Sequence, residues 1–228
     1  MKKPIALGIA TLSALAMPLS AAHAGLSLSQ LVVELQPGKH DRQDVDVANS
    51  GPDRAYVEVD PREIIDAGEP RESAREDPDP DKLGLLVSPA RLILEPGQHR
   101  LIRIATLAGS ADRERVYRVT VKPVVGKLSS AQSGLKVLVG YDMLVLVRPT
   151  VPQPAVTASR SGNALTLRNQ GNVSVELSDG KDCTAGGACT QLPPKRLYSG
   201  AQWTQQLPAS GSVTYEVDSP GRAQRMQF

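Results

Sequence analysis

Short runs of alternating apolar and polar residues recur along most of this chain. Val, Leu and Thr dominate the runs, and Gly, Pro, Asn and Asp separate them about every ten residues. Such alternation places one face of a strand against a core and the other face in water. Beyond residue 24 no run has the longer period of an amphipathic helix. The pattern therefore predicts an all-β fold of the sandwich type.

The predicted strands fall into two groups, one on each side of a proline-rich segment. The first group would fill one sandwich and comprises 26–35, 44–49, 54–62, 85–87, 91–94, 99–106, 115–123 and 135–148. The second group comprises 164–169, 173–178, 195–198, 202–207 and 212–217. The segment PTVPQP (149–154) lies between them and cannot continue a central strand, because proline has no amide hydrogen to donate. We therefore predict two domains, 25–150 and 151–228.

The N-terminal residues 1–24 have the features of a secretory signal peptide. Lys2 and Lys3 precede an apolar stretch that ends near Leu19, and AHA (22–24) fits a signal-peptidase site. A transmembrane helix is the alternative, but the apolar run is shorter than the ~20 residues that a membrane span needs. We expect cleavage after residue 24 and a mature protein that is exported and not embedded in the membrane.

The charge balance argues against nucleic acid as a partner. The chain has 26 Lys and Arg against 24 Asp and Glu, and removal of Lys2 and Lys3 would bring the formal net charge from +2 to zero. A nucleic-acid-binding domain normally has an excess of basic residues or a basic patch. We therefore expect no nucleic-acid partner.

Cys183 and Cys189 are the only cysteines of the sequence. In an exported chain the simplest interpretation is one disulfide across a short loop. A zinc site is the alternative, but two cysteines supply half of the ligands of a structural site, and His40 and His99 lie far away in the sequence. We predict the disulfide and no metal.

The stretch 66–82 is rich in Asp, Glu, Arg and Pro and poor in apolar residues. Such a composition leaves little to bury and is typical of a mobile loop. We predict that 66–82, called the excursion below, is a solvated loop between two strands. A charged loop that binds a partner is the alternative.

Known catalytic patterns are missing from the sequence. It has no G-x-S-x-G turn and no glycine-rich phosphate loop. Carboxylates do cluster, as at Glu63 with Asp66 and at Glu72, Glu76 and Asp77, and paired carboxylates are the groups that glycoside hydrolysis uses. However, one Trp, one Phe and five Tyr are few aromatic residues for a sugar site. We expect no enzyme activity, no cofactor and no small-molecule substrate.

Several short motifs occur in the order and spacing of a known family. They are GLLVSPARLILEPG (84–97), IRI (102–104), DRE (112–114), VYRV (116–119), VRP (147–149) and NQGNV (169–173). Each motif is weak alone, but together they make the chain resemble the periplasmic pilus chaperones of the chaperone/usher pathway. The cysteine pair and RLYSGAQW (196–203) are most similar to the branch that assembles alternative or colonisation-factor fimbriae.

This resemblance implies two immunoglobulin-like β-sandwich domains in a boomerang arrangement. It also implies that the chain lends a β-strand to a pilin subunit, which is a known example of strand addition, and delivers the subunit to an outer-membrane usher. The donated strand covers the open sheet edge of the pilin and so prevents aggregation there. The expected partners are pilin subunits and the usher. The alternative is a secreted β-sandwich subunit or adhesin of the fimbria, which would have a single incomplete sandwich.

The resemblance places the donor strand at 135–147, counted back from the VRP motif. It implies that four alternate side chains face the groove of the pilin: Leu135, Val137, Val139 and Tyr141. Alternation alone would direct the same row into the core of the protein itself. The resemblance therefore decides the face that binds the subunit.

Two further sets of residues follow from the resemblance. Glu114, Arg148 and Asp218 are expected to form a salt-bridged cluster that joins the domains, with Arg148 between two carboxylates. Many family members also hold the terminal carboxylate of the pilin with an Arg on the first strand and a Lys on the last strand of the first domain. Here those positions are Val32 and Leu144. The candidates to replace them are Arg91, Arg103, Arg118 and Lys122.

Overall fold

A computed structural model describes residues 25–109, 111–124, 138–209 and 211–228. Within these ranges the chain forms two sandwich-like pairs of β-sheets, which confirms the predicted all-β, two-domain fold. Among the described residues, no helix has the length and apolar character that a membrane crossing requires.

The first sandwich is built from the part of the chain that precedes residue 148. Its elements are β1 (Leu26–Leu28), β2 (Val32–Leu35), β3 (Arg42–Asn49), β4 (Ala55–Ile65), β5 (Ser73–Arg75), α1 (Pro80–Leu83), β6 (Leu85–Ser88), β7 (Arg91–Leu94), β8 (His99–Thr106), β9 (Arg115–Val124) and β10 (Tyr141–Val147). One sheet has the order β1-β3-β8-β6, and the other has the order β2-β10-β9-β4-β5 with β7 also paired to β4.

Alternating burial explains why these strands form a sandwich. In β8, for example, Ile102 and Ile104 are fully buried while Leu101 and Arg103 face outward. The inward rows of both sheets join in one core that includes Tyr117 and Met143. Burial of each large side chain in such a core contributes about 1.5 to 3 kcal/mol.

The first predicted strand, 26–35, is two strands in the structure. β1 pairs antiparallel with β3, and β2 pairs parallel with β10 in the opposite sheet. The chain changes sheets at residues 29–31, where Ser29 donates its backbone N–H to the carbonyl of Asp46. This change of sheet brings β2 to the edge beside β10.

The second sandwich has its own core. Its strands are β11 (Val156–Ser161), β12 (Ala164–Asn169), β13 (Val175–Cys183), β14 (Cys189–Leu192), β15 (Lys195–Leu197), β16 (Gln202–Gln206), β17 (Ser212–Ser219) and β18 (Arg222–Gln227). One sheet has the order β11-β12-β16, and the other has the order β14-β13-β17-β18 with β15 paired to β13. Tyr215 is fully buried in the core and packs edge-on against Trp203.

The prediction of a mobile loop at 66–82 was wrong in part. β5 within this stretch pairs with the end of β4, and α1 follows it. Asp79 caps α1 by accepting the backbone N–H of Asp81, and Gly84 ends the helix with a φ of 82°, a conformation that favours glycine. The excursion is therefore folded against the first sandwich.

A buried carboxylate, Glu63, fastens the excursion. It accepts hydrogen bonds from Arg75 at 2.9 Å and from Arg115 at 2.7 Å. Arg115 and Tyr117 both donate to the carbonyl of Leu83 at the end of α1. Burial acts to raise the pKa of Glu63, but the hydrogen bonds from the two arginines outweigh it and the pKa lies below its usual value. The ionised carboxylate thus stabilises the folded excursion.

Candidate functional site

One edge of the first sandwich is open beside β10. β2 pairs with β10 only from Leu144 to Val147, and the N–H of Leu144 donates to the carbonyl of Leu31. On its other side β10 pairs with β9 along its whole length, from Tyr141 to Val147. Within the described part of the chain, the backbone of β10 before Leu144 therefore has a partner strand on one side only.

The side chains of β10 change from buried to exposed toward this open edge. Val147, Val145 and Met143 lie in the core of the first sandwich. Val139 continues the same alternate row but is 52% exposed. Its neighbour Leu138 is 37% exposed. An apolar row thus leaves the core of the protein and continues into solvent.

A charged cluster lies at the junction of the two sandwiches. Arg148 directly follows β10, and its guanidinium group contacts the carboxylates of Glu114 and Glu34, the latter at 2.7 Å. The guanidinium also donates to the hydroxyl of Ser174 at 3.1 Å, and the backbone N–H of Ser174 donates to Glu114 at 3.2 Å. Arg148 and Glu114 therefore tie the first sandwich to the second.

The two carboxylates of this cluster have different surroundings. The side chain of Glu114 is 1% exposed, whereas that of Glu34 is 50% exposed. Burial raises the pKa of Glu114, and the contacts with Arg148 and Ser174 only partly oppose that rise. One oxygen of Glu114 has no hydrogen-bond partner among the described residues. The pair Glu114–Arg148 is thus the buried part of the cluster, where removal of the charges from water opposes the ion pair.

Asn172 forms a second link at the junction. Its side-chain amide donates to the carbonyls of Asp112 and Val151, at 2.9 and 3.1 Å, and its side-chain oxygen accepts the N–H of Gln153 at 2.6 Å. These three partners belong to the first sandwich and to the segment between the sandwiches. Close packing adds to the link, because a Cβ at Gly171 would lie 2.3 Å from the carbonyl oxygen of Gln153.

The junction also has an apolar part. Val116, Leu144 and Leu146 form a buried cluster with Ala67 of the excursion, and Tyr198 of the second sandwich packs against it. Gly68 lies beside the same tyrosine ring, because a Cβ at this position would be 3.0 Å from a ring carbon of Tyr198. The excursion therefore touches both sandwiches.

The sequence of residues 25–153 matches the family described as pili and flagellar-assembly chaperone, PapD N-terminal domain. This match covers more than half of the chain. The chain belongs to the pilus- and flagellar-assembly chaperones. Members of this family are assembly chaperones and not enzymes, so the family excludes a glycosidase function for the clustered carboxylates. No curated protein is significantly similar to the chaperone in sequence.

Solved structures agree with this family in their fold. The class 5 fimbriae chaperone CfaA is 22% identical, with a TM-score of 0.69 over 89% of this chain and 97% of that chain. The SafB chaperone, in complex with the SafA pilin of Salmonella enterica, is 19% identical, with a TM-score of 0.62 over 92% and 98%. The CsuC chaperone, in a pre-assembly complex with the CsuE tip adhesion subunit of Acinetobacter baumannii, is 13% identical, with a TM-score of 0.60 over 89% and 97%.

The four residues predicted to face a pilin groove do not all lie in one environment. Leu135 and Val137 lie outside the described residues. Val139 is exposed, as the prediction requires. Tyr141 instead packs against the core of the chaperone, and its hydroxyl donates to the carbonyl of Leu26 at 2.7 Å. Tyr141 is therefore the position at which the alternate row of β10 enters the core of the first sandwich.

The predicted junction cluster needs one correction. Glu114 and Arg148 are in contact, but Asp218 is exposed on β17 opposite Glu176 and makes no ion pair with any described residue. Glu34 takes the position of the second carboxylate, because the parallel pairing of β2 with β10 places it beside Leu146 and near Arg148. Sequence spacing did not indicate Glu34, Ser174 or Asn172.

The predicted disulfide is confirmed. Cys183 and Cys189 are bonded and lie opposite each other at the loop end of the β13–β14 hairpin. Among the described residues no group of His, Cys, Asp and Glu side chains could hold a metal ion. The disulfide lies in the second sandwich and contacts neither the open edge nor the junction cluster.

Proposed function

We propose that this chaperone captures fimbrial subunits in the periplasm by donating the strand that ends in β10, and then delivers them to an outer-membrane usher. In this proposal residues 1–24 are a cleaved export signal, and residues 25–150 and 151–228 are the two domains. The donated side chains are Leu135, Val137 and Val139, with Tyr141 marking the point where the row enters the core of the chaperone.

The exposure of Val139 at the open edge is the observation that supports this function best. An exposed valine side chain is unfavourable for the free protein, and unpaired strand edges attract other strands. Both features suit a surface that is covered by a partner. The short β2 leaves space on this edge before Leu144 for a strand from the partner.

The energy available from such a row is large enough for capture. Three side chains at about 1.5 to 3 kcal/mol each give a gross gain of roughly 5 to 9 kcal/mol, from which the cost of association is subtracted. Backbone hydrogen bonds along the edge add affinity and depend little on the sequence of the partner. One chaperone can therefore bind several related subunits.

The complexes formed by similar chaperones give independent support. SafB forms a complex with a pilin, and CsuC forms a pre-assembly complex with a tip adhesion subunit. The junction cluster contributes to capture, because it fixes the angle between the sandwiches and so keeps the surface that binds the subunit in one shape. We assign this role to Arg148 and Glu114, whose side chains are 6% and 1% exposed.

The test uses two exposed apolar residues on opposite sides of the first sandwich. Tagged chaperone is purified from the periplasm of its native host, and a fimbrial subunit is expected with it in an equal molar amount. Val139→Asp should abolish this copurification, since it places an unpaired charge in an apolar groove. Leu101→Asp, at a side chain that is 58% exposed on β8, is the matched control and should retain the subunit.

Circular dichroism of both variants shows whether they remain folded. The proposal fails if Val139→Asp is folded and still captures the subunit, or if Leu101→Asp loses the subunit equally. Val137→Asp extends the test along the row and should behave as Val139→Asp does. Delivery is tested separately by binding of the purified complex to the usher, which Val139→Asp should not achieve.

A further inference from the structure

The hydroxyl of Tyr141 joins the two sheets of the first sandwich beside the open edge. Tyr141 is the first residue of β10, and its hydroxyl donates to the backbone carbonyl of Leu26 on β1 at 2.7 Å. β1 and β10 belong to opposite sheets of the sandwich. The ring of Tyr141 packs against the core between these sheets. The hydrogen bond therefore holds the start of β10 to the facing sheet.

The register of β1 explains why the carbonyl of Leu26 can accept this bond. β1 is the edge strand of its sheet and pairs with β3. The carbonyl of Gly25 and the N–H of Ser29 both form backbone hydrogen bonds toward β3. In an antiparallel pair such bonds involve alternate residues. Leu26, which lies opposite Asn49, is therefore at a position where the carbonyl points away from β3.

The donated row does not fix its own register. In the proposed function this row consists of Leu135, Val137 and Val139, which are apolar side chains of similar size. A slip of two residues keeps the same face of a strand toward its partner. It moves the partner by about 7 Å along the strand and exchanges one apolar side chain for the next. The row alone therefore allows the captured subunit more than one position.

Tyr141 is the next member of this row. A subunit that slips by two residues toward β2 would have to accept Tyr141 into its groove in place of Val139. The backbone leaves room for this slip, because β2 covers the edge of β10 from Leu144 onward. The slip would remove the ring from the core and break its hydrogen bond with Leu26, which is 2% exposed. A buried carbonyl that loses its partner is unfavourable.

We propose that Tyr141 is the positioning residue of strand donation, because its hydrogen bond with Leu26 stops the captured subunit at Val139 and so fixes one register. This inference rests on the proposed strand donation by the same edge. The bond also holds the start of β10 in place before a subunit arrives. Less conformational freedom is then lost on association, which favours capture.

Tyr117 provides a matched control. It is fully buried in the same core, and its hydroxyl also donates to a backbone carbonyl, that of Leu83, at 3.1 Å. This bond lies at the end of α1 and not at the open edge. Tyr141→Phe and Tyr117→Phe therefore remove the same atom and the same kind of bond from one sandwich. They differ in whether the bond lies beside the donated row.

The experiment reads the register by photo-cross-linking. Leu138 is 37% exposed and is not a member of the donated row, so it is replaced with a lysine analogue that carries a diazirine. The full-length chaperone is purified with its copurifying fimbrial subunit and irradiated, and mass spectrometry identifies the cross-linked residue of the subunit. The chain with both tyrosines, Tyr141→Phe and Tyr117→Phe are compared, and circular dichroism reports whether each is folded.

We expect one main cross-linked residue for the chain with both tyrosines and for Tyr117→Phe, and a second one, two positions along the same subunit strand, for Tyr141→Phe. Transfer of the subunit to a differently tagged chaperone should be about three- to tenfold faster from Tyr141→Phe, which corresponds to one hydrogen bond.

A single unchanged cross-link in Tyr141→Phe would overturn the proposal, and so would the same second cross-link in Tyr117→Phe. Failure of Tyr141→Phe to fold would overturn it as well, since the hydroxyl would then serve the fold itself. Absence of any cross-link in a stable complex of the chain with both tyrosines would instead contradict strand donation, and with it the proposed function.

Discussion

Replacement of Arg148 with Met removes the positive charge between Glu34 and Glu114 but keeps an apolar side chain of similar length. Glu114 then remains buried, with a side chain that is 1% exposed, and it has lost the one ion-pair partner that it has among the described residues. Loss of one member of a buried ion pair typically costs about 3 to 5 kcal/mol. A protein of marginal stability would lose much of its folding free energy through this change.

The pH dependence of this loss identifies its cause. Burial already raises the pKa of Glu114, and removal of Arg148 should raise it further. A carboxyl group whose pKa is raised in the folded state stabilises that state when the pH is below the ordinary pKa of the group. This stabilisation is lost as the pH rises through the pKa of the folded state. Protonation of an ordinary glutamate of pKa about 4.3 costs about 4 kcal/mol at pH 7 and about 1 kcal/mol at pH 5. The loss in Arg148→Met should therefore be about 4 kcal/mol at pH 7 and clearly smaller at pH 5.

The measurement is urea unfolding at the two pH values, followed by circular dichroism. Glu34→Gln is the control, and because its side chain is 50% exposed it should cost less than about 1 kcal/mol at either pH. The double variant Arg148→Met/Glu114→Gln should recover most of the loss at pH 7, since no charge remains buried. A loss below about 1 kcal/mol in Arg148→Met, or an equal loss at both pH values, would refute this reasoning.

Three other predictions follow from the structure. Glu63→Gln should lower the free energy of unfolding by about 1 to 3 kcal/mol at pH 7, and urea unfolding should show this difference shrinking below about pH 4, because a depressed pKa stabilises the fold only above its ordinary value. Replacement of Cys183 and Cys189 with Ser should destabilise the second sandwich by about 2 kcal/mol, read from the fluorescence of Trp203, without loss of subunit capture. Asn172→Ala should cost about 1 kcal/mol and broaden the distribution of angles between the sandwiches in small-angle X-ray scattering, and an unchanged scattering profile would contradict its role as a link.

Much of the fold could be predicted from alternation, because most strands have one buried and one solvated face. β8 and β12 were predicted on this basis. β11 and β18 were not, since their residues are mostly exposed and polar, as in RAQR (222–225) of β18, and leave no apolar row to recognise. Such edge strands are held by backbone pairing, which a side-chain pattern does not report.

The candidate site was harder to predict because its contacts join distant parts of the chain. Glu34 meets Arg148 only through the parallel pairing of β2 with β10. Glu63 holds the excursion (66–82) in place through hydrogen bonds with two arginines. This segment is therefore folded although its composition is typical of a mobile loop. Tyr141 continues the alternate row of Val139, and the sequence alone does not show where this row leaves the core.

Hydrogen–deuterium exchange of the free chaperone and of its complex with the copurified subunit tests strand donation most directly. The N–H of Leu144 points to the β2 side of β10, so the N–H groups of Leu138, Gly140 and Asp142 point to the same open side. We predict that exchange at these three amides slows strongly in the complex, while exchange in β8 on the opposite sheet stays the same. Unchanged exchange at the three amides in a stable complex would contradict strand donation at this edge.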